Sequence, residues 1–179
     1  MAPHSPSIEL SPPELRHVAG FAAACARPAL ELFERARPGD LRPRAAIDAA
    51  QAFAGGGPRS KSLRDSAWAA LRAASDVREM GLAAANDAAR AALAAAGAAF
   101  LHPLPKATQV KHMLGAAAHA ARAFELSGGG DPAVAAEYLT RATLLAPPVV
   151  VGVLARYPRP PPGGGRVGEL IRQADALLR

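Results

Sequence analysis

The chain has 179 residues, a formal net charge of +6 and a single cysteine, and half of its residues are apolar, 46 of them alanine. One domain is the simplest organisation at this length, and such a chain buries roughly 70% of its unfolded surface, enough for a core without metals or disulfides. Cys25 has no partner for an internal disulfide and sits among apolar neighbours, so it is expected to be a buried, inert thiol.

Targeting signals are missing from the pattern. The N-terminal MAPHSPSIEL has neither the basic nor the apolar region of a signal peptide. The longest charge-free apolar run, Ala91–Leu101, falls well short of a membrane span of about 18–20 residues. The expectation is a cytoplasmic protein with no membrane partner. The basic pI, near 10.4, invites a nucleic-acid reading, but magnitude argues against it. A folded surface of about 8,000 Å² follows from the mass, whereas a DNA interface of about 1,000–2,500 Å² neutralises about 6–10 phosphates. Eighteen Arg and three Lys are spread along most of the chain, so a nucleic-acid-associated basic helical protein is kept only as the runner-up.

Alanine is the best helix former, and the β-branched and aromatic residues that strands favour are scarce. The fold class expected is all-α: a single-domain bundle of about seven to eight alanine-rich helices with short Pro/Gly breaks. Residues 1–10 form an extended or disordered lead-in, 11–157 the helical domain, 158–165 a Pro/Gly-rich linker, and 166–179 a C-terminal helix packing on the domain.

In chain order, Ser11-Pro12-Pro13-Glu14 is a capping-box start. Leu15, Val18, Ala22 and Cys25 form the buried face, and Pro28 breaks the helix before a short second one, Ala29–Arg35. A third helix follows Asp40-Leu41-Arg42-Pro43-Arg44, with Arg42 pushed from helical geometry by the next proline. Gly55–Ser62, GGGPRSKS, nearly matches a phosphate loop, but Ser60 replaces its second glycine and a helix precedes it, so a turn with a Ser cap is expected. The fourth helix runs from about Ser60 to Met80, with Trp68 off its apolar stripe. Gly81 marks a bend before Leu82–Leu101.

The sixth helix, Lys106–Leu126, buries Val110, Met113, Leu114, Ala117, Ala121 and Phe124 at helical spacing. His112 and His119 then lie on the opposite side with Gly115. Ser127–Gly130 is a linker, Asp131-Pro132 starts a seventh helix, and Val149–Arg156 and Val167–Leu178 complete the chain.

The polar clusters each have two readings. The His112–His119 separation of seven residues disfavours zinc, whose ligands want closer spacing and a carboxylate or cysteine to complete the set, and no nucleophile has an identifiable base. His102, His112 and His119 are therefore read as bonds between helices or as partner contacts. Asp40 among Arg35, Arg37, Arg42 and Arg44 is a helix cap held by arginines, or a surface for an acidic partner. No catalytic residue, cofactor or metal is implied.

Three stretches carry a resemblance: LFERARPGDLRPRAAIDAAQAF (Leu32–Phe53), DSAWAALRAASDVREMGLAAANDAARAALAAAGAAF (Asp65–Phe100) and LHPLPKATQVKHMLGAAAHAARAFEL (Leu101–Leu126). Together they resemble the bacterial immunity proteins of polymorphic toxin systems, in the group named after its likeness to immunity protein five. The resemblance implies an all-α, non-enzymatic interaction protein that neutralises a cognate toxin by direct binding. Relatives are sometimes labelled as the DNA-repair exonuclease subunit SbcC, which this chain, with no intact phosphate loop and no long coiled coil, does not fit. The candidate contact residues are Asp40, Arg42, Arg44, Trp68, His102, His112 and His119, with a protein partner, a toxin on the resemblance, and a homodimer left open.

Overall fold

Local chemistry sets where each helix starts. Ser11 Oγ accepts the Glu14 amide at 3.3 Å while Glu14 Oε2 accepts the Ser11 amide at 2.8 Å, a complete capping box. Ser60 Oγ accepts the Leu63 amide at 3.2 Å, and Asp131 Oδ1 accepts that of Ala133 at 2.9 Å. The near-phosphate-loop is thus a turn and a cap, as its sequence context predicts.

The computed structural model describes residues 7–179; residues 1–6 of the lead-in expected at 1–10 lie outside the described residues. Among the described residues there are nine α-helices and no strand: α1 Pro12–Ala26, α2 Leu30–Ala36, α3 Arg42–Ala54, α4 Lys61–Glu79, α5 Ala83–Ala98, α6 Val110–Ser127, α7 Pro132–Thr143, α8 Pro148–Ala155 and α9 Gly165–Leu178. The all-α class is as expected. Pro28 falls in a 3-10 turn, Arg27–Ala29, that joins α1 to α2.

Two local expectations need correcting. Arg42 is helical despite the proline after it, because it stands at the first position of α3 and Asp40 accepts both its amide, at 3.2 Å, and its Nε, at 2.9 Å. The sixth helix begins not at Lys106 but at Val110, after a 3-10 turn over Ala107–Gln109.

Helix α5 is the hub, packed against α1, α2, α3, α4 and α6. It can be surrounded because most of its inward side chains are methyl groups: Ala88, Ala89, Ala91, Ala92, Ala95, Ala96 and Ala98 are all fully buried. Small side chains let helix axes approach toward the short end of the usual 8–10 Å. The bend at Gly81, with φ +76°, is a Schellman end to α4: the Leu82 amide reaches Val77 O and the Gly81 amide Arg78 O, both at 2.9 Å.

Larger side chains fill the periphery of this alanine centre. Phe33, Ile47, Met113, Leu114, Leu139, Leu154 and Leu170 are fully buried. The Phe124 and Tyr138 rings lie 4.9 Å apart, linking α6 to α7, and the Tyr138 hydroxyl donates to Cys25 O. Burial pushes the Cys25 thiol up to about 12, which makes it inert.

At the C-terminal end, α9 packs on α6 and α7. Its ties are ionic and buried. Glu125 of α6, its side chain 3% exposed, accepts three bonds from Arg166, Nε on both oxygens at 3.1 Å and Nη2 at 2.7 Å, and one from Arg122. Asp175, 2% exposed, accepts from Arg179 at 2.8 Å and Arg159 at 3.3 Å. The Pro/Gly-rich stretch before α9 is held by Arg172, which donates to Pro161 O and Gly163 O. At the other end, the Ile8 amide donates to Pro103 O at 2.8 Å.

Candidate interaction surface

Helix α5 is enclosed on most sides yet keeps one open stripe. Arg90, Leu93, Ala94 and Gly97 are only half-buried and recur at the i, i+3, i+4, i+7 spacing of one face. A cavity borders each flank of this stripe, and Leu93 lines both.

The first cavity, about 540 Å³, lies between α4, α5 and the turn after α5, and is lined by Arg59, Arg64, Trp68, Leu93, Phe100 and His102 among others. The Arg59 and Arg64 guanidinium carbons sit 5.8 and 5.2 Å from the Phe100 ring centroid, within cation–π range. Trp68 is 55% exposed, a large aromatic surface left facing solvent.

The second cavity, about 430 Å³, lies between α5, α6 and α9. It is lined by Arg90, Leu93, Ala94, Gly97, Lys111, His112, Gly115 and His119, with Gly164, Val167, Gly168 and Ile171 from the α9 end. His119 Nδ1 is 2.7 Å from Oδ1 of the nearly buried Asp87, which fixes the ring's orientation. Burial holds the His112 imidazole below its ordinary value, with the charges of Lys111 and His102 acting in the same direction.

Four of the seven residues singled out from sequence therefore share one face: Trp68 and His102 on one cavity, His112 and His119 on the other. The other three lie apart from it. Arg42 Nη2 bridges Asp40 at 2.7 Å and Asp76 of α4 at 2.6 Å, and the Arg44 guanidinium meets both oxygens of Glu34 at 2.7 and 2.8 Å. Arginine hydrogen bonds hold the Asp40 carboxyl below the usual carboxylate range.

On the Gly115 side of α6 it is α5 that crosses, since a Cβ on Gly115 would lie 3.6 Å from that of Ala94, and the two histidines flank this crossing. Sequence reasoning missed Arg59, Arg90, Leu93, Phe100 and Ile171. A signal for part of this set was present: Asn86, Arg90, Leu93 and Gly97 interrupt the alanines of α5 at steps of four, three and four.

Chemically the face suits association. No hydroxyl or thiol side chain among the described residues lines the second cavity beside the Asp87–His119 pair. Among the described residues no three His, Cys, Asp or Glu side chains converge as metal ligands. Also among the described residues, no carboxylate lines either cavity, and Arg59, Arg64, Arg90 and Lys111 have none within 4.0 Å. Among the described residues no single helix is long and apolar enough to cross a membrane.

No curated protein and no solved structure matches this chain. A model of one protein family does, and α8 and α9 follow the residues it covers. With residues 9–147 matched, from just before the α1 capping box through α7, the chain belongs to the family described as Imm-5 like putative immunity protein.

Proposed function

We propose that this protein neutralises a toxin by binding it, without catalysis, through the face that lies over α5. The observation that carries the reading is the open α5 stripe between two cavities, with Trp68 exposed on one side and four cations that, among the described residues, have no carboxylate within 4.0 Å. Interface centres favour Trp anchors that become desolvated on docking, and the chain's one Trp lies on this face. The Asp40–Arg44 loop has a subsidiary part in this reading, since its charges are already paired within the molecule.

The test has two arms. Co-purification from native cells identifies the bound protein, and co-expression of that protein with this chain reads protection of the cells. Trp68→Ala is expected to weaken binding by about 2 kcal/mol or more, roughly thirtyfold, and to reduce protection. Capture of a non-toxic partner, or protection unaffected by Trp68→Ala, would count against the proposal.

A further inference from the structure

We infer that the cleft between α5, α6 and α9 receives an apolar side chain flanked by carboxylates, presented by an acidic segment of the bound protein. This rests on the reading above and names the chemistry of the segment that docks. The walls are apolar, from Leu93 and Ala94 on α5 and Val167 and Ile171 on α9. The cleft's 430 Å³ falls within the range of about 300–1,000 Å³ typical of ligand-holding pockets. The rim is cationic: Arg90 on one side and Lys111 on the other, neither paired with an acid among the described residues. Asp87, which reaches the cleft wall through His119, is nearly buried and engaged with that ring, so it offers the rim no exposed counter-charge.

Two further features narrow the occupant. Among the described residues no Phe, Tyr or Trp lines this cleft, so they offer it none of the stacking platforms on which single-stranded nucleic acid binds. And the α9 wall comes from residues beyond the matched 9–147. The cleft's shape therefore depends on Val167, Gly168 and Ile171, so these residues bear on which apolar side chain it accepts.

The glycine at the cleft's edge supplies a clean test. Gly97 lies within α5 without positive φ, and a Cβ built there meets nothing within 4 Å, so Gly97→Leu fills the cleft without a clash at Cβ. The probe is a short amphipathic peptide in which glutamates flank a leucine stripe, titrated into the isotope-labelled full chain and followed by amide shifts. Binding is expected to move the Leu93, Gly97, Gly115, His119 and Ile171 resonances. The same peptide with lysine for glutamate, and a single-stranded RNA oligonucleotide, leave them in place. Gly97→Leu, with its melting temperature unchanged or raised, is expected to cut peptide affinity about tenfold or more; so is the double variant Arg90→Glu with Lys111→Glu. The inference is overturned if the acidic peptide leaves these resonances unmoved, if RNA moves them, or if binding survives Gly97→Leu in a folded protein. A captured toxin with no acidic-peptide effect defeats this inference alone. Peptide binding without any captured toxin defeats the proposed function and leaves the cleft's chemistry standing.

Discussion

Arg42 and Arg44 are two positions apart, yet their side chains answer to different neighbours. Arg42 joins the α2–α3 loop to α4 through Asp40 and Asp76, and the Asp40 side chain is only 12% exposed. Arg42→Ala strips that carboxylate of two side-chain bonds while leaving it largely covered; the expected loss is about 1–2 kcal/mol after solvent screening, read from urea unfolding. Arg44 pairs with Glu34 at the surface, and Arg44→Ala is expected to leave the urea midpoint unmoved. The Asp40–Arg42 contact was legible in the sequence because its partners are two residues apart. The Arg42–Asp76 and Arg44–Glu34 pairs were not, because they join residues 34 and 10 positions apart. Titration gives a second check at this scale. His112 is depressed below 6.5 chiefly by burial, so the unfolded chain takes up its proton first and stability falls as pH drops through 6.5. The depressed carboxyls act lower: Glu14, held at about 2 by Arg156 and Ser11, and Glu125, held low by Arg166, add stability above 4.5 that is lost as pH falls through their folded values. A thermal-melt series is expected to show two declining phases, one beginning near 6.5 and one below 4.5. His112→Gln should remove the upper phase alone.

At the scale of elements, α9 is fastened by charge as much as by its apolar face. Glu125 is buried with Arg166 and Arg122 around it, and removing one partner of a buried pair costs about 3–5 kcal/mol because the remaining charge is stranded. Arg122 stays within reach, so Arg166→Ala is expected to cost about 2–4 kcal/mol. Amide hydrogen exchange should speed up across α9 before it does in α5. Gly168 adds a steric condition: a Cβ there would lie 2.0 Å from Gly163 O, so Gly168→Ala forces the turn entering α9 to open. Exchange confined to α9 in both variants checks this account, whereas unchanged exchange contradicts it. The helices themselves were legible because caps and breakers act over a few residues: Ser11 with Glu14, Ser60 and Asp131 at starts, Gly81 and Gly129 at ends. The start of α6 was less so, since Ala107–Gln109 has helical composition but closes into a 3-10 turn first.

Over the whole molecule, the face above α5 depends on helices from distant parts of the chain arriving side by side, which local periodicity does not specify. Trp68, His102, His112 and His119 stood out by residue type, but their grouping around Leu93 comes from α4 and α6 packing about α5, with α9 laid on α6. The same assembly decides which cations keep no acid beside them. Most carboxylates are engaged in ion pairs inside the molecule, as at Asp40, Asp76, Glu34, Glu125 and Asp175, and part of the net +6 is thereby left on Arg59, Arg64, Arg90 and Lys111 beside the cavities. Rim charges of this kind govern encounter more than residence. Replacing Arg59 and Arg64 together by Glu is expected to slow association with an acidic partner by about tenfold at low salt. Dissociation should change far less, and the difference from wild type should shrink as salt rises. Duplex DNA offers the control: four dispersed cations are fewer than the about 6–10 phosphate contacts of a strongly salt-dependent binder, so filter binding at about 50 mM salt is expected to detect none. A loss that falls on dissociation instead would place the two arginines in a desolvated core, and DNA binding that vanishes at about 200 mM salt would assign the face to nucleic acid.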